Sequence, residues 1–177
     1  VAITRYGEDH GGPGSTPDVP IKRGDLLHVD FGVHVAGLAT DTQQNTYVLR
    51  PGEEQPPHGI RRLLAKANLQ QDLLRSVTRV GISGNEALRL GREKMIAAGL
   101  VPSVYCHGLG VHGHGAGAPI GMWDKQEGVP VRGERLLREN TVHAWEMNHR
   151  MAVPEWDNQM VTFATEQGAV LTQNGVA

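Results

Sequence analysis

The chain has 177 residues and a formal net charge of -2 at pH 7. A chain of this length can bury a core within one domain, and its small net charge argues against nucleic acid or an anionic membrane as the main partner. No apolar run reaches transmembrane length, no secretory signal opens the sequence, and the single cysteine excludes an internal disulfide. These features predict a cytoplasmic protein with no membrane partner.

The first third of the sequence predicts a short strand, a loop and a hairpin. Residues 1–3 have strand character, and the turn-rich segment at residues 7–14 is a loop that contains His10. Apolar and β-branched side chains predict a strand at residues 26–31, and a second strand is expected at residues 45–49. A glycine-containing turn between the two strands suits a β-hairpin.

Two helices and then several strands are expected in the remainder. Apolar residues at helical spacing predict a helix at residues 59–78, and a capping-box pattern at residue 83 opens a second helix that ends at Gly99. The glycine- and histidine-rich segment at residues 101–121 has β character. The last strands are expected at residues 140–148, 159–165 and 168–172.

Acidic residues inside the predicted hairpin are the first chemical signal. Asp30 lies within the first strand, and Asp41 follows it eleven residues later. Buried carboxylates are costly unless a positive charge pairs with them, and few basic residues lie nearby, so the two acids favour a bound cation. The alternative is that both acids face water at a turn or a strand edge.

Two more acids and a histidine cluster complete this signal. Glu146 and Glu166 lie in or beside predicted strands with apolar neighbours, and His107, His112 and His114 fall within eight residues. Each residue taken singly is an ordinary strand or loop residue. Together with the two aspartates, they form a set of two Asp, two Glu and one His.

The order and local motifs of this set resemble the pita-bread metallopeptidases, a family that includes methionine aminopeptidase, prolidase, aminopeptidase P and the creatinase-like proteins. Residues 24–32 resemble the Gly-Asp-Leu-apolar-apolar-Asp-Phe-Gly run that carries the family's first aspartate, and Asp41 matches the second. Glu146 stands where the family has its first glutamate, although the usual Glu-Pro is Glu-Met here. Residues 166–175 resemble the motif that the second glutamate opens.

The resemblance implies an α+β pita-bread fold, in which helices back a curved antiparallel sheet, and a single catalytic domain at residues 1–177. Because the sequence opens with Val1 and residues 1–20 lack the family's first helices, we expect an N-terminally short domain. Such a domain exposes a sheet edge and apolar faces, so we also expect a homodimer or a longer native chain to cover them.

The resemblance also implies that Asp30, Asp41, Glu146 and Glu166 hold two divalent metal ions together with one histidine. A carboxylate-rich set without thiolate favours Mn²⁺, with Co²⁺, Zn²⁺ or Fe²⁺ as alternatives. In this family, a hydroxide that bridges the ions attacks the peptide bond, and the counterpart of Glu146 moves its proton to the leaving amine.

The motifs leave the histidine ligand open among three positions. His114 lies in a family-like Gly-His-Gly-x-Gly stretch, but the distal histidine of that motif is then Gly121. In a rival register, His107 is the ligand and His114 is the distal histidine, whereas one inserted residue would make His112 the ligand. We expect His114 to be the ligand, with His107 and His112 as catalytic donors to the substrate carbonyl and His10 as a substrate-binding residue.

The function that this resemblance implies is hydrolysis of N-terminal peptide bonds in a peptide or dipeptide, of the Xaa-Pro aminopeptidase or dipeptidase type. The prolidase-like residues 107–110 favour that type over methionine aminopeptidase activity. Two further alternatives are a non-catalytic pita-bread module that binds peptides or proteins and metal-free chemistry of the creatinase kind. Metal content separates the first function from the last two.

Overall fold

The computed structural model describes residues 1–8 and 18–177, which form one large antiparallel sheet and two long α-helices. Within these residues, no helix combines the length and the apolar character needed to cross a membrane. The elements in chain order are β1 (Ala2–Thr4), β2 (Leu26–Phe31), β3 (His34–Val35), β4 (Leu38–Ala39), β5 (Thr42–Tyr47), α1 (His58–Arg75), α2 (Gly84–Ala97), β6 (Pro102–Leu109), β7 (Gly115–Ile120), β8 (Thr141–Val153), a 3₁₀ turn (Pro154–Trp156), β9 (Gln159–Thr172) and β10 (Gly175–Val176).

The sheet has the order β1-β2-β5-β9-β8-β6-β7, with β10 paired to β9, and all these pairs are antiparallel. The strands β3 and β4 form a small separate hairpin. The longest strands, β8 and β9, therefore lie in the middle of the sheet. Strands β5 and β2 continue the sheet beyond β9, and β6 continues it beyond β8.

The predicted hairpin is confirmed, although its second strand begins earlier than expected. Strand β5 starts at Thr42, and Ala36 and Gly37 both have positive φ in the turn between β3 and β4. The start of β5 escapes recognition because its residues are polar: Gln43 and Gln44 give no apolar alternation. Pairing on both sides, with β2 and β9, holds this polar segment in the sheet.

Both predicted helices are confirmed with small differences at their ends. Helix α1 ends at Arg75 rather than at residue 78. Helix α2 follows the predicted cap, because the Ser83 hydroxyl accepts a hydrogen bond from the Glu86 backbone N–H. Gly99 has a φ of 72°, as expected for the residue after a helix end.

The C-terminal strands are longer than the sequence predicts. Strand β8 continues to Val153, five residues beyond the expected end, and β9 is one strand where two were predicted. The two predicted strands left Glu166 and Gln167 between them. Their backbone is nonetheless paired with β8 throughout, because β9 is a central strand with partners on both sides.

The two helices cover one face of the sheet and leave the other face open for chemistry. One core cluster packs Leu88 and Met95 of α2 against Val104, Cys106 and Trp145 of the sheet. A second cluster packs α1 against β9 and the 3₁₀ turn, with Trp156 only 1% exposed. Side chains alternate between faces along a strand, so the residues between these core positions point to the opposite face.

Candidate metal centre

A row of polar side chains crosses five neighbouring strands on the face that the helices leave open. Asp30 in β2 is opposite Gln43 in β5, which is opposite Glu166 in β9. Glu166 is in turn opposite Glu146 in β8, and Glu146 is opposite Tyr105 in β6. Directly opposite residues in an antiparallel sheet share a face, so the register brings three carboxylates into one line.

Asp41 and His107 lie next to this row, each two residues along the chain from one of its members. Asp41 precedes Gln43 by two residues and His107 follows Tyr105 by two, so both share the face of the row. The Nε2 atom of His107 lies 3.8 Å from Oδ2 of Asp41 and 3.6 Å from Oε1 of Glu166. The imidazole therefore lies between an aspartate and a glutamate.

The other two histidines of the predicted cluster, His112 and His114, are exposed, whereas His107 is buried. The ring of His114, just before β7, stacks on His107 with ring centroids 4.2 Å apart and planes 21° apart. His112 lies exposed in the same loop, and none of the possible metal-binding groups of the described chain includes it. His10 lies outside the described residues.

Three overlapping groups of side chains bring ligand atoms within 4.8 Å of one another. Each predicted carboxylate belongs to at least one group, and Asp41, His107 and Glu166 each belong to two. The groups are Asp41, His107 and His114; His107, Glu146 and Glu166; and Asp30, Asp41 and Glu166. Overlapping groups of this kind can hold neighbouring cations that share ligands.

The carboxylates of the row disfavour one another's ionised forms. Burial raises the pKa of Asp30 and of Asp41, and the charge of Glu166 raises both further. Burial also raises the pKa of Glu146 to about 7, a rise to which Glu166 and Asp30 contribute and which Gln43 opposes. Protons or cations are therefore needed to hold these groups together at neutral pH.

The carboxylates stabilise the protonated form of His107, whereas burial disfavours it. Burial lowers its pKa, but the nearby carboxylates of Glu166 and Asp41 favour the protonated ring and outweigh burial, so the pKa is raised overall. A cation bound at this position would replace the proton that these two carboxylates attract.

Orphaned polar atoms show that this donor set fits a metal. Both carboxylate oxygens of Glu166 and both ring nitrogens of His107 are buried without a hydrogen-bond partner, as is Oε1 of Gln43. In the part of the chain that the structure describes, no lysine or arginine forms an ion pair with the four acids. Buried carboxylates without partners are costly, and oxygen-rich ligands with one imidazole suit divalent ions such as Mn²⁺.

Sequence reasoning did not identify two residues of the row, Gln43 and Tyr105. Gln43 is 3% exposed, and its Nε2 donates to Oδ2 of Asp30 at 3.4 Å. Tyr105 lies against the His107 ring at a centroid distance of 5.1 Å, and burial and Glu146 raise its pKa. The sequence contained one signal for both residues. Gln43 is two positions from Asp41 and Tyr105 is two positions from His107, and residues two apart in a strand share a face.

Comparison with known proteins identifies relatives of this arrangement. The model of metallopeptidase family M24 matches residues 2–175, nearly the whole chain. This match confirms the resemblance to a family of metallopeptidases that the motifs indicated. No curated protein matches the chain.

Solved structures of three kinds of peptidase are similar to the chain. The X-Pro aminopeptidase from Thermotoga maritima is 18% identical with a TM-score of 0.66, over 89% of this chain and 40% of that one. The prolidase from Pyrococcus furiosus is 20% identical with a TM-score of 0.63, over 90% and 42%. The methionine aminopeptidase from Rickettsia prowazekii is 18% identical with a TM-score of 0.64, over 90% and 66%.

These likenesses confirm the predicted fold, an antiparallel sheet backed by helices of the pita-bread kind. At such low identity they carry no information on the substrate. The chain also spans only 40 to 66% of the length of these three proteins.

Proposed function

Because the chain belongs to metallopeptidase family M24, we propose that it is the metal-binding catalytic region of a dinuclear exopeptidase of the Xaa-Pro type. One observation carries the proposal: Asp41, Glu146 and Glu166 lie close to His107, and Asp30 joins them through Asp41 and Glu166. None of these four acids has a lysine or arginine partner among the described residues. A module that only bound peptides would have no need to hold four acids this close together.

The proposed ligands are Asp30, Asp41, His107, Glu146 and Glu166. The sequence favoured His114 as the histidine ligand, but burial and contacts support His107. His107 is 5% exposed, reaches both Asp41 and Glu166, and has both ring nitrogens unpaired. His114 is exposed and belongs to one of the three groups.

The backbone at Gly121 supports the same register. If His114 were the ligand, Gly121 would stand where the family has its distal histidine. Gly121 has a φ of 71°, and a Cβ atom there would lie 2.3 Å from the carbonyl oxygen of Val104. A histidine at this position would clash with the backbone, whereas His114 next to His107 can serve as the distal histidine.

Bound divalent ions would supply a water of lowered pKa as nucleophile and polarise the scissile carbonyl. Glu146 accepts a proton at its carboxylate and passes it to the leaving amine, the role that the family resemblance implies for it. His114, exposed beside His107, donates a hydrogen bond to the substrate carbonyl oxygen as negative charge develops there.

Arg132 supports a substrate with a free carboxylate. Its charge acts on Tyr105 at the end of the row, where it opposes the rise in the pKa of Tyr105. Among the described residues, its guanidinium has one hydrogen-bond partner, the sulfur of Met122 at 3.3 Å, which leaves other donors for a ligand. Arginine binds carboxylates in a bidentate geometry, which favours a dipeptide whose C-terminus lies near the metals.

Hydrolysis assays on the purified, Mn²⁺-loaded chain test this proposal. We expect cleavage of Xaa-Pro dipeptides to exceed cleavage of Met-Ala peptides, and Glu146→Gln to abolish turnover while Glu93→Gln on the exposed face of α2 keeps it. Arg132→Gln should raise KM for the dipeptide more than for its C-terminal amide. Faster cleavage of Met-Ala peptides would favour methionine aminopeptidase activity, and metal binding without hydrolysis of either class would favour the binding module.

A further inference from the structure

A second concave site lies at the end of the sheet where β8 begins. It is a cavity of about 1010 Å³ between the β3–β4 hairpin, the glycine-rich ends of β6 and β7, and the segment 134–140 that leads into β8. Small-molecule sites have volumes of about 300 to 1,000 Å³ and are lined mainly by apolar side chains with a few polar groups. This cavity matches that description, since Leu38 and Leu137 line it.

The cavity is distinct from the metal centre. His143, which lines it, precedes Glu146 by three residues on the uninterrupted strand β8. Because side chains alternate between faces, His143 points away from the carboxylate row. Thr40 and Gly108 also line the cavity. They are adjacent in sequence to Asp41 and His107, respectively, which belong to the metal centre.

The wall of the cavity carries an excess of free positive charge. Arg135 and Arg138 line it, and neither guanidinium has a hydrogen bond or ion pair within the described chain. The one acid of the wall, Glu134, already accepts a hydrogen bond from Asn85 at 2.7 Å. Two free arginines beside an apolar wall complement a carboxylate attached to an apolar body.

The buried imidazole of His143 adds one hydrogen-bond acceptor to the wall of the cavity. His143 is 5% exposed, and its Nε2–H donates to the carbonyl oxygen of Ala118 at 3.3 Å. Burial lowers the pKa of His143, so the ring is neutral and its Nδ1 carries a lone pair. No described group is bonded to that Nδ1, which is therefore free to accept from the N–H or O–H of a ligand.

We propose that this cavity binds a small amphiphilic carboxylate with an N–H donor next to its acid group, of the N-acyl amino acid class. The carboxylate pairs with Arg135 and Arg138, the N–H donates to Nδ1 of His143, and the acyl chain packs against the apolar wall. The site does not depend on metals or on peptidase activity.

Isothermal titration calorimetry with N-octanoyl-leucine tests the proposal on the whole chain. We expect saturable binding of one molecule per chain. Binding should weaken about tenfold or more for N-octanoyl-leucine amide and for the Arg135→Gln/Arg138→Gln variant, because each removes a charge-assisted hydrogen bond. Arg61→Gln/Arg62→Gln, which removes two exposed arginines on α1, is the matched control and should bind as the wild type does.

Three results would overturn the proposal. They are equal binding of the acid and its amide, wild-type affinity in the Arg135→Gln/Arg138→Gln variant, and no binding at all.

Discussion

His107 is the residue on which the proposed chemistry converges, because it lies between Asp41 and Glu166 and beneath the ring of His114. Its burial distinguishes it from the other histidines of the cluster. The two neighbouring rings should therefore have separable roles, one toward the metals and one toward the substrate.

Alanine substitutions separate these roles. His107→Ala should lose at least one metal ion per chain, because it removes a ligand. His114→Ala should keep both ions but lower kcat by about 10²-fold or more, as the loss of a hydrogen-bond donor to a developing oxyanion does. Metal analysis and steady-state kinetics measure the two effects, with the exposed His34→Ala as control. Full metal content in His107→Ala would contradict the assignment.

The raised pKa of Glu146 predicts how the stability of the metal-free protein depends on pH. This pKa is raised to about 7 in the folded state, above the unfolded value, so the folded state binds the proton more tightly. The free energy of unfolding should therefore rise as pH falls through about 7 toward the ordinary glutamate value of about 4.3.

The comparison with Glu146→Gln isolates this contribution, because protonation of other groups also changes the free energy of unfolding as the pH falls. Chemical denaturation with chelator present, from about pH 8 to pH 5, should show a smaller gain on acidification for the variant than for the wild type. A steeper gain in the variant would show that Glu146 is not the group that binds the proton.

The sequence predicted the acids of the site more readily than its histidine. Asp30, Asp41, Glu146 and Glu166 lie at spacings that motifs reveal. The choice between His107 and His114 depends on which ring is buried against the acids, and burial is set by the pairing of β6 with β8. Gln43 and Tyr105 lie two positions from predicted site residues, but only the cross-strand register shows that they belong to the row.

At the scale of elements, an ion pair joins β1 to the start of β2. Nε of Arg5 donates to Oδ1 of the fully buried Asp25 at 2.6 Å, and a second guanidinium nitrogen donates to Oδ2 at 2.8 Å. The Lys22 N–H also donates to this carboxylate, at 2.7 Å. Asp25 lies just before β2, so the pair positions the strand that carries Asp30.

This pair predicts sensitivity to acid. Burial raises the pKa of Asp25, but the hydrogen bonds from Arg5 and Lys22 lower it more, so the pKa lies below its usual range. A depressed pKa gives stability that is present above the unfolded value of about 3.9 and is lost as pH falls further. In Arg5→Gln, the melting temperature at pH 7 should fall, and its decline below about pH 4 should become shallower. Arg89→Gln, which removes an exposed helix pair, should leave both unchanged.

The elements themselves were predicted where local physics determines them. The spacing of apolar residues and the cap at Ser83 located both helices to within a few residues of their ends. The sequence did not predict the full extent of β8 and β9, because polar residues within both strands resemble loop residues. Their strand conformation comes from pairing with neighbours that are distant in sequence.

At the scale of the molecule, the β3–β4 hairpin exposes a group of apolar side chains. Val33, Val35 and Leu38 are 51, 64 and 58% exposed, and Phe31 is 49% exposed. Clustered exposed apolar residues favour association. The expected homodimer remains a prediction, and this hairpin is where we expect the contact.

Light scattering across a concentration series tests that expectation. We predict that the mass per particle rises toward two chains with concentration, and that Val33→Ser/Val35→Ser shifts this rise to higher concentration. Ile96→Ser/Val101→Ser, which changes two exposed residues at and beyond the end of α2, should leave the rise unchanged. A mass of one chain at every concentration would show that the hairpin is not a dimer contact.

Metal stoichiometry tests the central claim most directly. The chelator-treated chain is titrated with Mn²⁺ by calorimetry, and the bound ions are counted by elemental analysis after dialysis. The carboxylate row predicts two ions per chain, a loss of at least one in Asp41→Ala and in Glu166→Ala, and no change in Glu93→Gln. A chain that binds no ion in excess Mn²⁺ or Co²⁺, or an Asp41→Ala variant that still binds two, would contradict the account.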